Sequence, residues 1–329
     1  MWTRQLFSLL LAAVLSLGNS VDGRAATELS FGHCTATDDP YHIGAIRFAE
    51  LVGEYTKGSV KINVFPGCQL GGTDRELIEG IKLGLLDISI TASAPIAGFE
   101  PKFMLFDLPF LFRDNAHAHA ILDGPVGSGV AATLEPQGIK LVSWMESGFR
   151  NMITIKKKIH SPEDMQNMKF RVMENPVYVS MFKNLGSSGV PISARELYTS
   201  LQTGVVDGYE HPIGAYLSIK AYEVAKLVAL TGHSYTPAPV MMNLGKFRAL
   251  SPVEQEAVLK AGREAAIYQR GYVAKTQKEF ETTLRANGVE FYSVNKSAFQ
   301  QKMAPVYKEF ESKVGKALIE SVLNSPAPK

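Results

Sequence analysis

Glu76-Leu77-Ile78-Glu79-Gly80-Ile81-Lys82-Leu83-Gly84-Leu85-Leu86-Asp87 decides the fold, because it reads as the close of one element and the opening of the next. Leu77, Ile78 and Ile81 share a helical face, and the spacing predicts a helix over residues 74–83. Gly84 stands where a left-handed C-terminal cap forms with least strain. The apolar residues after it predict a strand over 86–91. Upstream, a strand over 60–65 is broken by Pro66-Gly67, and a helix over 41–55 is expected from Ile43, Ile46, Phe48, Leu51, Val52 and Tyr55. With a strand-like run over 28–32, the order is strand, helix, strand, helix, strand. Such alternation argues for an α/β layer with a mostly parallel sheet.

The pattern returns later in the chain. Glu76-Leu77, Ile81 and Gly84-Leu85-Leu86-Asp87 align without a gap on Glu196-Leu197, Leu201 and Gly204-Val205-Val206-Asp207. Two related α/β lobes follow from this, not one large domain and not a solenoid, whose periods are far shorter. Further strands are expected over 138–144, 152–155, around Phe170 and over 208–212, a helix over 216–224, and extended segments over 227–235 and 240–243. Ser251-Pro252-Val253-Glu254 has a capping serine, a proline and a glutamate at capping-box spacing, and no breaker but Gly262 and Gly271 precedes Asn287-Gly288. A helix of about 35 residues and about 50 Å is therefore expected, long enough to lie across both lobes and brace them; the alternative is a helix kinked into two at Gly271. Lobe I is assigned residues 27–147 and 236–275, and lobe II residues 148–235 and 276–329. Residues 98–112, dense in phenylalanine and proline, are read as core or hinge packing between them.

Of the 329 residues, 46% are hydrophobic and 20% charged, with a net charge of +2, so the chain builds a proper core and carries no field for nucleic acid or membrane. Arg4, an apolar run over 6–17 and small residues at Ser20 and Ala25-Ala26 read as an export signal over 1–26, cleaved between Ser20 and Ala26. A periplasmic location follows. Cys34 and Cys68 each follow a strand-like run. If those strands are parallel neighbours, an oxidising compartment allows a bridge between their ends; two free thiols are the alternative.

Arg171, in Lys169-Phe170-Arg171-Val172, sits in a short apolar strand with no acid in the three residues before it. A guanidinium matches a carboxylate bidentately, so this arginine suits an anion; pairing with a distant Asp or Glu is the competing reading. Gly148-Phe149-Arg150-Asn151 supplies a second arginine of interest. After Asp207, Gly208-Tyr209-Glu210-His211-Pro212 sets a phenol, an acid and an imidazole at a strand end.

The chain resembles the substrate-binding proteins of tripartite ATP-independent periplasmic (TRAP) transporters, the DctP-like family. The resemblance covers nearly all of the mature sequence and rests on Phe65-Pro66 with Gln69-Leu70-Gly71-Gly72, Glu79-Gly80 with Gly84 and Asp87, and Leu108-Pro109-Phe110-Leu111-Phe112. It rests also on the Arg150 and Arg171 motifs and on Leu201-Gln202-Thr203 with Val206-Asp207-Gly208, Glu210 and Pro212. It implies a two-lobed α/β periplasmic binding protein with a hinge, a cleft between lobes and a long connecting helix, closing over an organic anion and delivering it to small and large permease subunits. Arg171 would clamp the ligand carboxylate and Arg150 assist. The family's Asp-Gly-Gln-Glu-Asn-Pro pattern is altered here: His211 replaces the asparagine and Tyr209 the glutamine. Arg171, Arg150, His211, Glu210, Glu174 and Thr91 are the candidate substrate-binding residues. Glutamates accept from hydroxyls, which tilts the expected cargo toward a sugar acid, uronate or aldonate, over a C4-dicarboxylate. A monomer without metal or cofactor is expected.

Two rival classes remain. An exported enzyme could use His33 with Cys34 or His211 with Glu210, but adjacent strand residues point to opposite faces. His117 and His119, two apart, do not share a helix face and make a poor metal pair. The receptor of an ATP-driven importer shares the two-lobe physics and differs only in the motifs above.

Overall fold

Parallel strands that bury both faces need helices between them, and the chain supplies them in alternation. The computed structural model describes residues 25–326; of the export segment expected over 1–26, all but the last two residues lie outside that range. Among the described residues the strands are β1 (Thr27–Gly32), β2 (Val60–Phe65), β3 (Ile88–Ile90), β4 (Ile139–Thr154), β5 (Lys169–Val172), β6 (Ser188–Pro191), β7 (Gly208–Pro212), β8 (Leu227–Asn243) and β9 (Glu290–Tyr292). They form one open sheet in the order β2-β1-β3-β8-β4-β7-β5-β6, with β9 also on β8. No described helix is long and apolar enough to cross a membrane.

The sequence repeat is a structural repeat. β1 lies between β2 and β3, parallel to both. In the same way β5 lies between β6 and β7. The helix Asp74–Leu83 ends at Gly84 (φ 73°), and the helix Leu197–Gln202 is followed by Gly204 (φ 70°). In each copy the two amides after the glycine donate to a single carbonyl, Gly80 in one and Ser200 in the other. The two aspartates then act alike. Asp87 Oδ2 accepts from the Ser30 amide at 2.8 Å, and Asp207 Oδ2 from the Lys169 amide at 2.8 Å. Each staples the end of its helix to the central strand of its unit. Leu77, Ile78 and Ile81 bury the helix face completely, worth about 1.5–3 kcal/mol per side chain.

Between the units the structure corrects the reading. The strands expected over 138–144 and 152–155 are parts of one 16-residue strand, β4, which begins at Ile139 and ends at Thr154, and the segments at 227–235 and 240–243 belong to one 17-residue strand, β8. The two pair antiparallel from Ile139↔Asn243 to Thr154↔Leu227, through both halves of the molecule. Where the halves meet the register slips, between Glu146 and Gly148 and again between Arg150 and Met152. The first slip leaves Ser147 over, and Gly148 takes φ 99°, a conformation open to glycine. The expected helix over 216–224 is shorter, Ile213–Ser218, with a 3-10 turn at Ala221–Glu223 after it. Strand β3 is shorter than expected and stops before Thr91.

The helix Pro252–Ala286 runs unbroken for 35 residues, started by the Ser251 and Glu254 capping box. It packs against the helix Pro40–Tyr55 and β4 at one end and the helix Ile213–Ser218 at the other. Its Gln269 side chain grips the Glu146 backbone from both sides, Oε1 accepting from the amide at 3.1 Å and Nε2 donating to the carbonyl at 2.7 Å. The aromatic stretch after β3 is core: Phe103 and Phe106 are fully buried against Trp144.

Candidate functional site

In parallel α/β units, ligands meet the C-terminal ends of the strands, where loops turn into helix N-termini. Here the strand ends of the two units face one another across a cavity of about 430 Å³. One wall comes from the turns after β1, β2 and β3, the other from those after β5, β6 and β7, and β4 and β8 form the floor with Ser147 and Thr236.

Arg171 leaves β5 beside this cavity and is 4% exposed. Its Nε donates to the Ile192 carbonyl at 2.7 Å, which fixes the plane of the guanidinium. Among the described residues no carboxylate comes within ion-pair range, and its terminal nitrogens have no hydrogen-bond partner. Burial pushes its pKa down to about 10, with Glu210 acting against burial and Arg150 with it. It stays cationic at neutral pH, buried and without a counter-ion.

Arg150 is placed quite differently. It lines the cavity, 2% exposed, but Glu210 takes its charge: Nε and Nη2 both donate to that carboxylate, the latter at 2.9 Å, and Nη1 donates to Thr236 Oγ1 at 3.0 Å. Burial would raise the Glu210 carboxyl, but Arg150 first and His233 after it hold it down at about 2. His233 Nε2 stands 3.4 Å from Glu210 Oε2, within ion-pair range but outside hydrogen-bond geometry. Glu210 is fully buried and does not reach the cavity wall; its role is to hold Arg150.

His211 lies on the wall, and its Nδ1 is buried without a partner. Burial, then the nearby Arg150 and Arg171, lower its pKa well below 6.5, so the ring is neutral and offers one donor and one acceptor nitrogen. Glu174 is exposed and lines both the cavity and its mouth. Thr91 is the outlier: it is fully buried, its hydroxyl donates to the Ala92 carbonyl at 3.0 Å, and it does not line the cavity, because the chain turns one residue earlier than a strand over 86–91 requires.

Sequence reasoning missed the facing wall. Asp39 caps the helix Pro40–Tyr55, accepting from the Tyr41 amide at 2.9 Å, and its other oxygen accepts from Ser218 Oγ of the second unit at 2.9 Å. Asp74 opens the helix Asp74–Leu83. Burial raises both carboxyls to about 6, with Arg171 opposing the rise at Asp74. Hydroxyls of Thr35, Ser147, Ser193 and Thr236 add to the lining. Cys34 and Cys68 are joined in a disulfide on the first unit's wall, and their strands are parallel neighbours paired to Gly32↔Phe65. Asp39, before Pro40, and Asp74, before Arg75, each read locally as no more than a helix start.

A cavity closed by two units, with a bare cation on one wall and hydroxyls on the floor, is built to hold a small acid. The chain belongs to bacterial extracellular solute-binding protein family 7, whose sequence profile matches residues 31–313, the DctP-like receptors of TRAP transporters. It is 37% identical over 285 residues to the 2,3-diketo-L-gulonate-binding periplasmic protein YiaO of Escherichia coli, covering 86% of this chain and 87% of that one. Two solved TRAP periplasmic solute-binding proteins share its fold. One, from Polaromonas, holds D-erythronate (TM-score 0.89, 33% identity, 92% of this chain and 100% of that one). The other, from Sulfitobacter, holds β-D-galacturonate (TM-score 0.87, 32% identity, 91% and 100%).

Proposed function

We propose that the cargo is a monocarboxylic sugar acid, a uronate or an aldonate, held with its carboxylate on Arg171. The observation that carries this is the buried Arg171 guanidinium without an anion, since a bound carboxylate would supply two charge-assisted hydrogen bonds where water is scarce. His211 and Arg150 contact the carboxylate end. Asp39 and Asp74 accept from hydroxyls on the far side, and Glu174 closes the mouth. Two carboxyls opposite the arginine would repel a second carboxylate, which disfavours a C4-dicarboxylate. The lobes divide at the register slips of β4 and β8, giving residues 27–147 with 236–275 and 148–235 with 276–329. The protein acts in the periplasm as a monomer, after its leader is cut between Ser20 and Ala26, and delivers cargo to the small and large permease subunits.

A thermal-shift screen against uronic, aldonic, C4-dicarboxylic and aromatic acids tests the reading, repeated with Arg171→Ala. A sugar acid is expected to raise Tm, and the variant to weaken its binding about a hundredfold or more. A shift that survives the substitution would overturn the clamp.

A further inference from the structure

We infer that the Cys34–Cys68 disulfide is a positioning element of the cargo site, and that cargo and disulfide stabilise one another. The inference rests on the sugar-acid reading above. The bridge joins residues 34 apart in sequence at the ends of β1 and β2, and both cysteines form part of the cavity wall. Both are partly exposed there.

The loop it ties has few other restraints at its tip. Beyond the ladder, three backbone bonds bind the two turns: the His33 amide to the Phe65 carbonyl, the Gly67 amide to the Thr35 carbonyl, and the Cys68 amide to the His33 carbonyl. To make the last two, Gly67 takes φ 64° and Cys68 φ 61°. The first suits glycine. The second is a left-handed conformation that a cysteine adopts only when its surroundings impose it. The sulfur bridge is the covalent part of those surroundings. Five residues after Cys68, Thr73 accepts the Glu76 amide as helix cap, and Asp74 follows on the wall facing Arg171. Relaxing Cys68 therefore frees the segment that places Asp74 and the rim at Gly72 and Thr73. On the other turn it frees Thr35. The wall that receives the hydroxyl end of the cargo is thus held in shape before cargo arrives, which lowers the ordering cost of binding.

Reciprocity follows. A dithiol reductant gives two electrons and two protons to the bridge, leaves Cys34 and Cys68 as thiols, and ends as its own disulfide. Its thiolate must first reach a sulfur on the cavity wall. Cargo in the cavity blocks that approach, and whatever factor reduction removes from cargo affinity, cargo adds to the resistance of the bridge.

The test uses D-galacturonate or D-erythronate, whichever the oxidised protein binds. Dissociation constants are measured for the oxidised protein, for protein reduced by dithiothreitol with its melting transition checked, and for Cys34→Ser/Cys68→Ser. About tenfold weaker binding is expected in both bridge-less forms. The equilibrium between disulfide and dithiol in a dithiothreitol redox buffer, read by thiol alkylation and mass, is expected to shift towards the disulfide by the same factor in saturating acid, which shielding of the sulfurs alone would not produce. If the double variant does not fold, that equilibrium in the folded wild-type protein decides. Equal affinities in folded forms, or an equilibrium unmoved by cargo, overturns the inference while the cargo reading stands. If the oxidised protein binds neither acid, the cargo reading fails and this inference with it.

Discussion

The two βαβαβ units share a scaffold and differ in what they bring to the cleft. In both, a central strand is flanked by two parallel partners, a glycine in the left-handed region closes a helix, and an aspartate staples that helix to the central strand. Even the turn after the central strand repeats. Asp39-Pro40 starts one helix and Asn175-Pro176 the other, and each cap side chain accepts the amide two residues on. From there the units diverge. Asp39 presents a carboxyl to the cavity, whereas Asn175 is buried and donates to Asp107 at 2.7 Å. Apart from the exposed Arg75, Glu174 and Arg195, the first unit offers carboxyls held reluctant to ionise, and the second, with β4, offers guanidiniums. The same backbone geometry therefore fixes where side chains meet the cleft, not their charge.

The sharpest way to break this contrast is to remove the one acid that belongs with the cations. Glu210→Ala leaves Arg150 buried and unpaired, and should cost about 3–5 kcal/mol in urea unfolding at pH 7. A loss below 1 kcal/mol would mean that Arg150 finds another partner. The acids of the first unit should respond in the opposite direction. Asp39 has a folded-state pKa raised from 3.8 to about 6, so its ionisation opposes folding: the penalty is absent below pH 3.8, grows as pH rises towards 6, and is constant above. Asp39→Asn keeps the helix cap and should therefore stabilise the cargo-free protein by about 1–3 kcal/mol at pH 8 and by almost nothing at pH 4. Destabilisation at pH 8 would show that the carboxylate is compensated in a way its surroundings do not suggest. The smallest effect sharpens the likeness of the scaffolds. Gly84→Ala and Gly204→Ala should each cost about 1–2 kcal/mol, and by similar amounts, since an added Cβ meets only Asn243 at 3.7 Å in one case and open space in the other. Unequal urea midpoints would show that the two caps differ in a way their geometry hides.

Much of this was legible in sequence where one local rule governs. The repeated glycine and aspartate marked both caps, the capping box at Ser251 marked a helix that runs its full length, and the isolation of Arg171 among apolar neighbours marked a cation with no partner nearby. The continuous strands were not legible. Glycine and proline commonly end strands, yet Gly148 and Pro237 flank the slip at Ser147, where the ladder is irregular in any case, and Pro239 pairs with Trp144 beyond it. Whether a breaker ends a strand depends on the partner strand, which no local window contains. The acids of the first unit were hidden for a related reason. Asp39 and Asp74 satisfy the local requirement for a helix start so well that nothing in their neighbourhood hints at a second use.

The spine formed by β4 and β8 also limits how such a chain can change in length. Because each strand belongs to both halves, a residue inserted in the regular ladder from Ser143 to Glu146 or from Pro237 to Val240, away from the slips, would shift every inward side chain beyond it to the outer face. Loops can lengthen at little cost; these two strands cannot. The halves can drift apart in composition and in what they recognise, while the number of residues that joins them stays fixed.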